Sequence, residues 1–112
     1  SFAAVLAFHT QGEVIYQGFE RYLPPGSAAL AERLARASGY AVENAPAYSG
    51  YAGYKDWFIL AYNLPGYTVE VGQGVTPLPI SSFNRFYPPA AALMAAALQG
   101  ISAGEEAPES TE

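Results

Sequence analysis

Hydrophobic and polar positions are grouped in blocks along the chain. Phe2 to Phe8 is an unbroken apolar run that ends at the polar turn His9-Thr10-Gln11-Gly12. A run of that length predicts a strand buried on both faces, as in a parallel sheet. Val14 to Tyr22 mixes residue types around Gly18 and reads as loop. The breaker cluster Pro24-Pro25-Gly26-Ser27 precedes a helix predicted over Ser27–Ser38, with Ser27 placed to cap it and Gly39 to end it. Leu30, Ala31, Leu34 and Ala35 form its apolar stripe, and Glu32 and Arg36 are an i, i+4 pair on the other side.

Ala45 to Gly53 is rich in Pro, Tyr, Ser and Gly and reads as a loop. Asp56–Tyr62 has apolar residues at helical density, and Asn63-Leu64-Pro65-Gly66 ends that helix. Tyr67 to Val71 has strong β-propensity. Its alternation puts Tyr67, Val69 and Val71 on one face and Thr68 and Glu70 on the other. Gly72 to Pro79 reads as loop, Ala90–Leu98 as a helix stopped by Gly100, and Ser102 to Glu112 as a disordered acidic tail. Strands alternating with helices predict an α/β fold with a largely parallel sheet. Two strands are too few for a stable core, so the chain is expected to be part of a larger sheet.

Composition sharpens that expectation. The chain is 51% hydrophobic but only 13% charged, about half the usual charged share, as expected of a piece that lies against further protein. The net charge of −5 comes mostly from Glu105, Glu106, Glu109 and Glu112; the rest carries six acids against five bases. Without a basic stripe, nucleic-acid binding is disfavoured. There are no cysteines, which excludes disulfides and thiolate metal sites. No apolar stretch is long enough for a membrane span, and the start lacks the basic region of a signal peptide.

Few residues are candidates for chemistry. His9 is the sole histidine, at the carboxyl end of an apolar strand, where open α/β sheets bind ligands. On position alone it reads as a structural histidine at a turn, with metal ligation or base catalysis as the functional option. Glu70 is either an ordinary strand-face glutamate or a chemically employed carboxylate; burial without a partner would be costly. If the two strands run parallel, His9 and Glu70 emerge on one rim, which would suit metal-assisted hydrolysis. Lys55 and Asp56 read first as a charge pair at a helix start. A two-ligand metal site from His9 and Glu13 is disfavoured by Gly12 and the preceding strand.

Three stretches carry a family likeness: Phe8-His9-Thr10-Gln11-Gly12-Glu13, Tyr48-Ser49-Gly50-Tyr51-Ala52-Gly53-Tyr54-Lys55-Asp56-Trp57, and Tyr67-Thr68-Val69-Glu70-Val71-Gly72. In that order they resemble the C-terminal part of zinc metallocarboxypeptidases of the carboxypeptidase A type. They are most similar to the bacterial branch that includes γ-D-glutamyl-diamino-acid peptidases. The resemblance covers residues 1–101, with 102–112 as the tail. It implies the C-terminal portion of a three-layer fold, a mostly parallel mixed sheet flanked by helices.

The resemblance further implies a Zn2+-dependent peptidase acting on peptides, including cell-wall γ-D-glutamyl-diaminopimelate peptides of the peptidoglycan stem. His9 would ligate zinc, Thr10 would line the substrate site, and Tyr48 would swing over the substrate. Lys55 would lie at the base of the specificity pocket and favour a carboxylate-bearing side chain. Glu70 would activate the zinc-bound water and protonate the leaving amine. The family's His-x-x-Glu ligand pair and substrate-binding arginines have no match here, so this chain by itself is expected to be inactive. An extracellular or cell-envelope location is favoured over the cytoplasm. The alternative is a non-catalytic binding module on the same fold, with exposed tyrosines serving a partner. Self-association through an uncovered sheet edge is also expected.

Overall fold

The computed structural model describes residues 3–44, 53–75 and 77–106. Four strands, β1 (Val5–His9), β2 (Val14–Gln17), β3 (Ala41–Asn44) and β4 (Gly66–Glu70), form one sheet in the order β1-β4-β2-β3. β1 runs parallel to β4 and β2 parallel to β3, while β2 and β4 are antiparallel. The sheet is therefore mixed and mostly parallel, in an α/β fold, as expected. Among the described residues three α-helices accompany it: α1 (Ser27–Ser38), α2 (Tyr54–Tyr62) and α3 (Phe83–Glu106).

The apolar face of β4 organises the core. Tyr67, Val69 and Val71 pack with Ile15 of β2, with Ala31 and Leu34 of α1, and with Leu93, Ala96 and Ala97 of α3. Each large side chain fully buried this way stabilises by roughly 1.5–3 kcal/mol. Tyr67 also donates its hydroxyl to the Ser27 carbonyl at 2.7 Å, which ties the start of α1 to the sheet. The opposite face of β4 begins at Gly66. A Cβ there would stand 3.3 Å from Ile59 and 3.4 Å from the Lys55 carbonyl. So α2 covers that face at the amino end of β4, opposite α1 and α3. The result is three layers, helices on both sides of a sheet.

Several expectations change. Val14 to Tyr22 is not all loop: Val14–Gln17 is an inner strand between β4 and β3. Its Val-Ile-Tyr-Gln sequence is short, and only pairing on both sides secures it. β3 was not expected at all; Ala41, Glu43 and Asn44 are exposed, so no apolar alternation marks it. β1 is not buried on both faces. Val5, Leu6 and Ala7 are half-buried and Phe8 is 40% exposed, because β1 lies at the sheet edge.

The helix expected over Ala90–Leu98 is the middle of a 24-residue helix. A 3-10 turn over Ile80–Ser82 leads into it, and Pro88 and Pro89 lie inside it. Each proline removes one hydrogen bond to a carbonyl four residues back. Those carbonyls belong to Asn84 and Arg85, both exposed, so water can satisfy them. Gly100 does not stop the helix. A Cβ there would come within 2.7 Å of Leu30 and 2.9 Å of Arg33, so its role is close packing of α3 on α1. The helix continues to Glu106, into the segment expected as tail; residues 107–112 lie outside those described.

The bounds of α1 agree with expectation, and Gly39 caps it in the left-handed conformation, donating to the Ala35 carbonyl at 2.8 Å. Its first turn differs. Gly26 is the N-cap and no side chain caps it, so Ser27 does not act there. α2 starts at Tyr54, two residues early, and ends at Asn63 in the left-handed conformation. Among the described residues no helix is long and apolar enough to cross a membrane.

Candidate active site

His9 and Glu70 are register partners in the parallel pair β1–β4. Partners in neighbouring strands project to the same face, about 4.8 Å apart along the hydrogen-bonding direction. Both lie at the carboxyl ends of their strands, on the face opposite the α1–α3 core. His9 is exposed and Glu70 half-buried. Burial raises the Glu70 carboxyl above its ordinary value, and the neighbouring His9 opposes that shift. A carboxylate made more basic in this way suits proton abstraction.

The backbone around this pair is tightly tied. Glu70 has His9 on one side and Val14 on the other. The connection Thr10–Glu13 must therefore pass over the carboxyl end of β4. The Val71 amide donates to the His9 carbonyl at 2.7 Å, and the Gly12 amide donates to the Gly72 carbonyl at 2.8 Å. Gly12 has φ 139°, and a Cβ there would lie 3.9 Å from the Glu70 Cβ. Glycine suits both the conformation and the close passage. The Thr10–Gln11 peptide is cis. Thr10 is exposed next to His9.

Lys55 is only 4% exposed and Asp56 3%. The Lys55 ammonium pairs with the Asp56 carboxylate and donates to the Gly18 carbonyl at 2.5 Å. Two of its three donors are thus engaged, and the local charge is balanced. Gly18 follows Gln17, which pairs with Tyr67, three residues down β4 from Glu70. At about 3.3 Å per residue that is roughly 10 Å along the strand. The fold thus brings His9 and Glu70 together and sets Lys55 apart from them, at the other end of the strand. Tyr48 lies outside the described residues.

A catalytic zinc takes three protein ligands and a water. The exposed His9 imidazole beside a half-buried carboxylate fits one position of such a site. Among the described residues no group of three or more His, Asp or Glu side chains could hold a metal ion. Glu13 is committed elsewhere: its carboxylate accepts from Arg85 Nε at 3.2 Å and from Gln73 Nε2 at 3.3 Å. Sequence reasoning missed the Glu13–Arg85–Gln73 group, because its members are 60 and 72 residues apart. Gly12-Glu13 was the only local hint, as a turn.

Two curated proteins are similar to the chain. The γ-D-glutamyl-L-diamino acid endopeptidase 1 of Lysinibacillus sphaericus is 52% identical over 98 residues, which is 88% of this chain and 24% of that protein. The uncharacterized protein YqgT of Bacillus subtilis (strain 168) is 43% identical over 83 residues, 74% of this chain and 22% of that protein. The chain therefore spans about a quarter of the length of these relatives. No protein-family model matches it.

Proposed function

We propose that the chain supplies one half of the catalytic centre of a zinc-dependent peptidase of the carboxypeptidase A type, acting on γ-D-glutamyl-diamino-acid peptides of the cell wall. The observation that carries this reading is the register pairing of His9 with Glu70 at the carboxyl ends of two parallel strands. The 52% identity to a γ-D-glutamyl-L-diamino acid endopeptidase supports the substrate class. The remaining metal ligands would come from protein outside these 112 residues.

Within this reading His9 is one metal ligand, and Glu70 takes a proton from the attacking water and passes it to the leaving amine. Zinc, when bound, would lower the pKa of water and polarise the scissile carbonyl. Thr10 lines the substrate site beside His9, and Tyr48, outside the described residues, is a further substrate-binding residue. Lys55, held by Asp56 and Gly18, is the cation that would favour a carboxylate-bearing substrate side chain.

The test compares the full-length protein with its Glu70→Gln and His9→Ala variants, measuring bound zinc and hydrolysis of a γ-D-glutamyl-diaminopimelate peptide. Glu70→Gln is expected to keep zinc and lose activity by about 10²–10⁴. His9→Ala is expected to lose both. An unmodified protein with neither zinc nor hydrolysis would end the peptidase reading and leave a non-catalytic binding module.

A further inference from the structure

The segment that crosses over β4 contains Glu13, whose side chain bonds to residues of two other parts of the fold. Glu13 has φ 56°, in the left-handed region that a glutamate seldom adopts. That conformation accompanies a carboxylate directed to two donors. Arg85 Nε comes from the first turn of α3, at 3.2 Å, and Gln73 Nε2 comes from the exit of β4, at 3.3 Å. The Glu13 side chain is 23% exposed and the Arg85 side chain 60% exposed. The Glu13 charge also reaches inward: Tyr40, buried beneath, has its hydroxyl raised first by burial and next by Glu13.

The position matters more than the strength of the ion pair, since a pair with one exposed partner contributes little stability. Glu13 comes four residues after His9, and Gln73 three residues after Glu70. Two backbone hydrogen bonds, His9 to Val71 and Gly12 to Gly72, hold the crossing segment on β4. The Glu13 carboxylate extends that zipper by one step and anchors it to α3. Glu70 is the last residue of β4, paired on both sides, and the contacts of Glu13 lie just beyond it.

We infer that Glu13 is a positioning residue for Glu70: its carboxylate, held between Arg85 and Gln73, fixes the exit of β4 under the crossing segment and so sets where the Glu70 carboxylate stands beside His9. This rests on the reading of His9 and Glu70 as the reacting pair. Glu13 acts through Glu70 and touches no substrate.

The experiment uses the full-length protein and the γ-D-glutamyl-diaminopimelate peptide. Glu13→Asn removes the long carboxylate and tolerates the positive φ; Glu13→Gln keeps the length and removes the charge. Glu13→Asn is expected to lower kcat about tenfold, with KM within about twofold and bound zinc unchanged, because small displacements of a catalytic group cost rate more than binding. Glu13→Gln falls between it and the unmodified protein. Arg85→Met shows the same kcat loss, and combining it with Glu13→Asn adds nothing further. In a Glu70→Gln background, Glu13→Asn leaves the residual rate unchanged, which a general loss of structure would not do.

A kcat for Glu13→Asn equal to the unmodified protein, with Glu70→Gln inactive, overturns the positioning role and leaves the active-site reading standing. So does a tenfold loss that persists in the Glu70→Gln background. Full activity in Glu70→Gln overturns both.

Discussion

Strands β1 and β4 lie side by side, run in the same direction and end in the two candidate catalytic residues, yet their surroundings differ. β4 is paired on both edges, covered by α1 and α3 on one face and met by α2 at its start on the other. β1 is paired on one edge only among the described residues, and its Phe8 remains 40% exposed. The sequences do not differ in that sense. Val-Leu-Ala-Phe is, if anything, more apolar than Gly-Tyr-Thr-Val. An apolar run therefore reports the burial a strand requires, and the neighbouring chain decides whether it is met. On this comparison β4 is the enclosed strand and β1 the side on which the rim holding His9 and Glu70 is more exposed.

The comparison can be tested by substitution, beginning with the largest effect. Tyr67→Ala removes a fully buried ring and its hydrogen bond to Ser27. It is expected to cost about 3–5 kcal/mol in denaturant unfolding, against less than about 1 kcal/mol for Phe8→Ala. Equal losses would mean that β1 is as enclosed as β4. Next comes Asp56→Asn beneath the same strand, which leaves the buried Lys55 ammonium without its counter-charge. A loss of about 3 kcal/mol is expected, and Lys55→Met with Asp56→Asn should recover much of it.

Alkaline titration gives a smaller, graded effect. Burial holds the Tyr67 hydroxyl above the ordinary tyrosine value of 10. The folded state thus binds this proton more tightly than the unfolded one. Its contribution is complete below pH 10 and fades as pH climbs from there toward the raised value. Circular dichroism followed through this range should show stability falling, and Tyr67→Phe should flatten that fall. Smallest is the edge itself. Self-association of the 112-residue chain through β1, followed by light scattering, should weaken with Phe8→Lys, since a charge on an edge strand opposes strand addition. No change would move the contact elsewhere.

Much of the candidate site was legible in the sequence because its two residues, His9 and Glu70, end strands that announce themselves locally. The apolar run before His9 and the alternation around Glu70 fix each residue's place on its strand, and strand ends are where such sheets bind ligands. Lys55 and Asp56 were legible as a helix-start pair for the same local reason, and α1 was legible from its stripe and Gly39. What escaped was held by partners distant in sequence. β2 and β3 are short strands secured by pairing of β2 with β3 and with β4, and the carbonyls freed by the prolines of α3 belong to exposed residues.

By itself, then, the sequence determined the α/β class, the bounds of α1, the two faces of β4 and the chemical identity of the candidate pair, because those follow from local periodicity and side-chain type. Only the tertiary structure decided that β1 is an edge strand, that the segment after His9 crosses over β4, that Gly100 is a packing contact rather than a stop, and that Glu13 meets Arg85 and Gln73. Each of these depends on which strands become neighbours. That choice is a balance of burial over the whole sheet, which no local stretch of residues encodes.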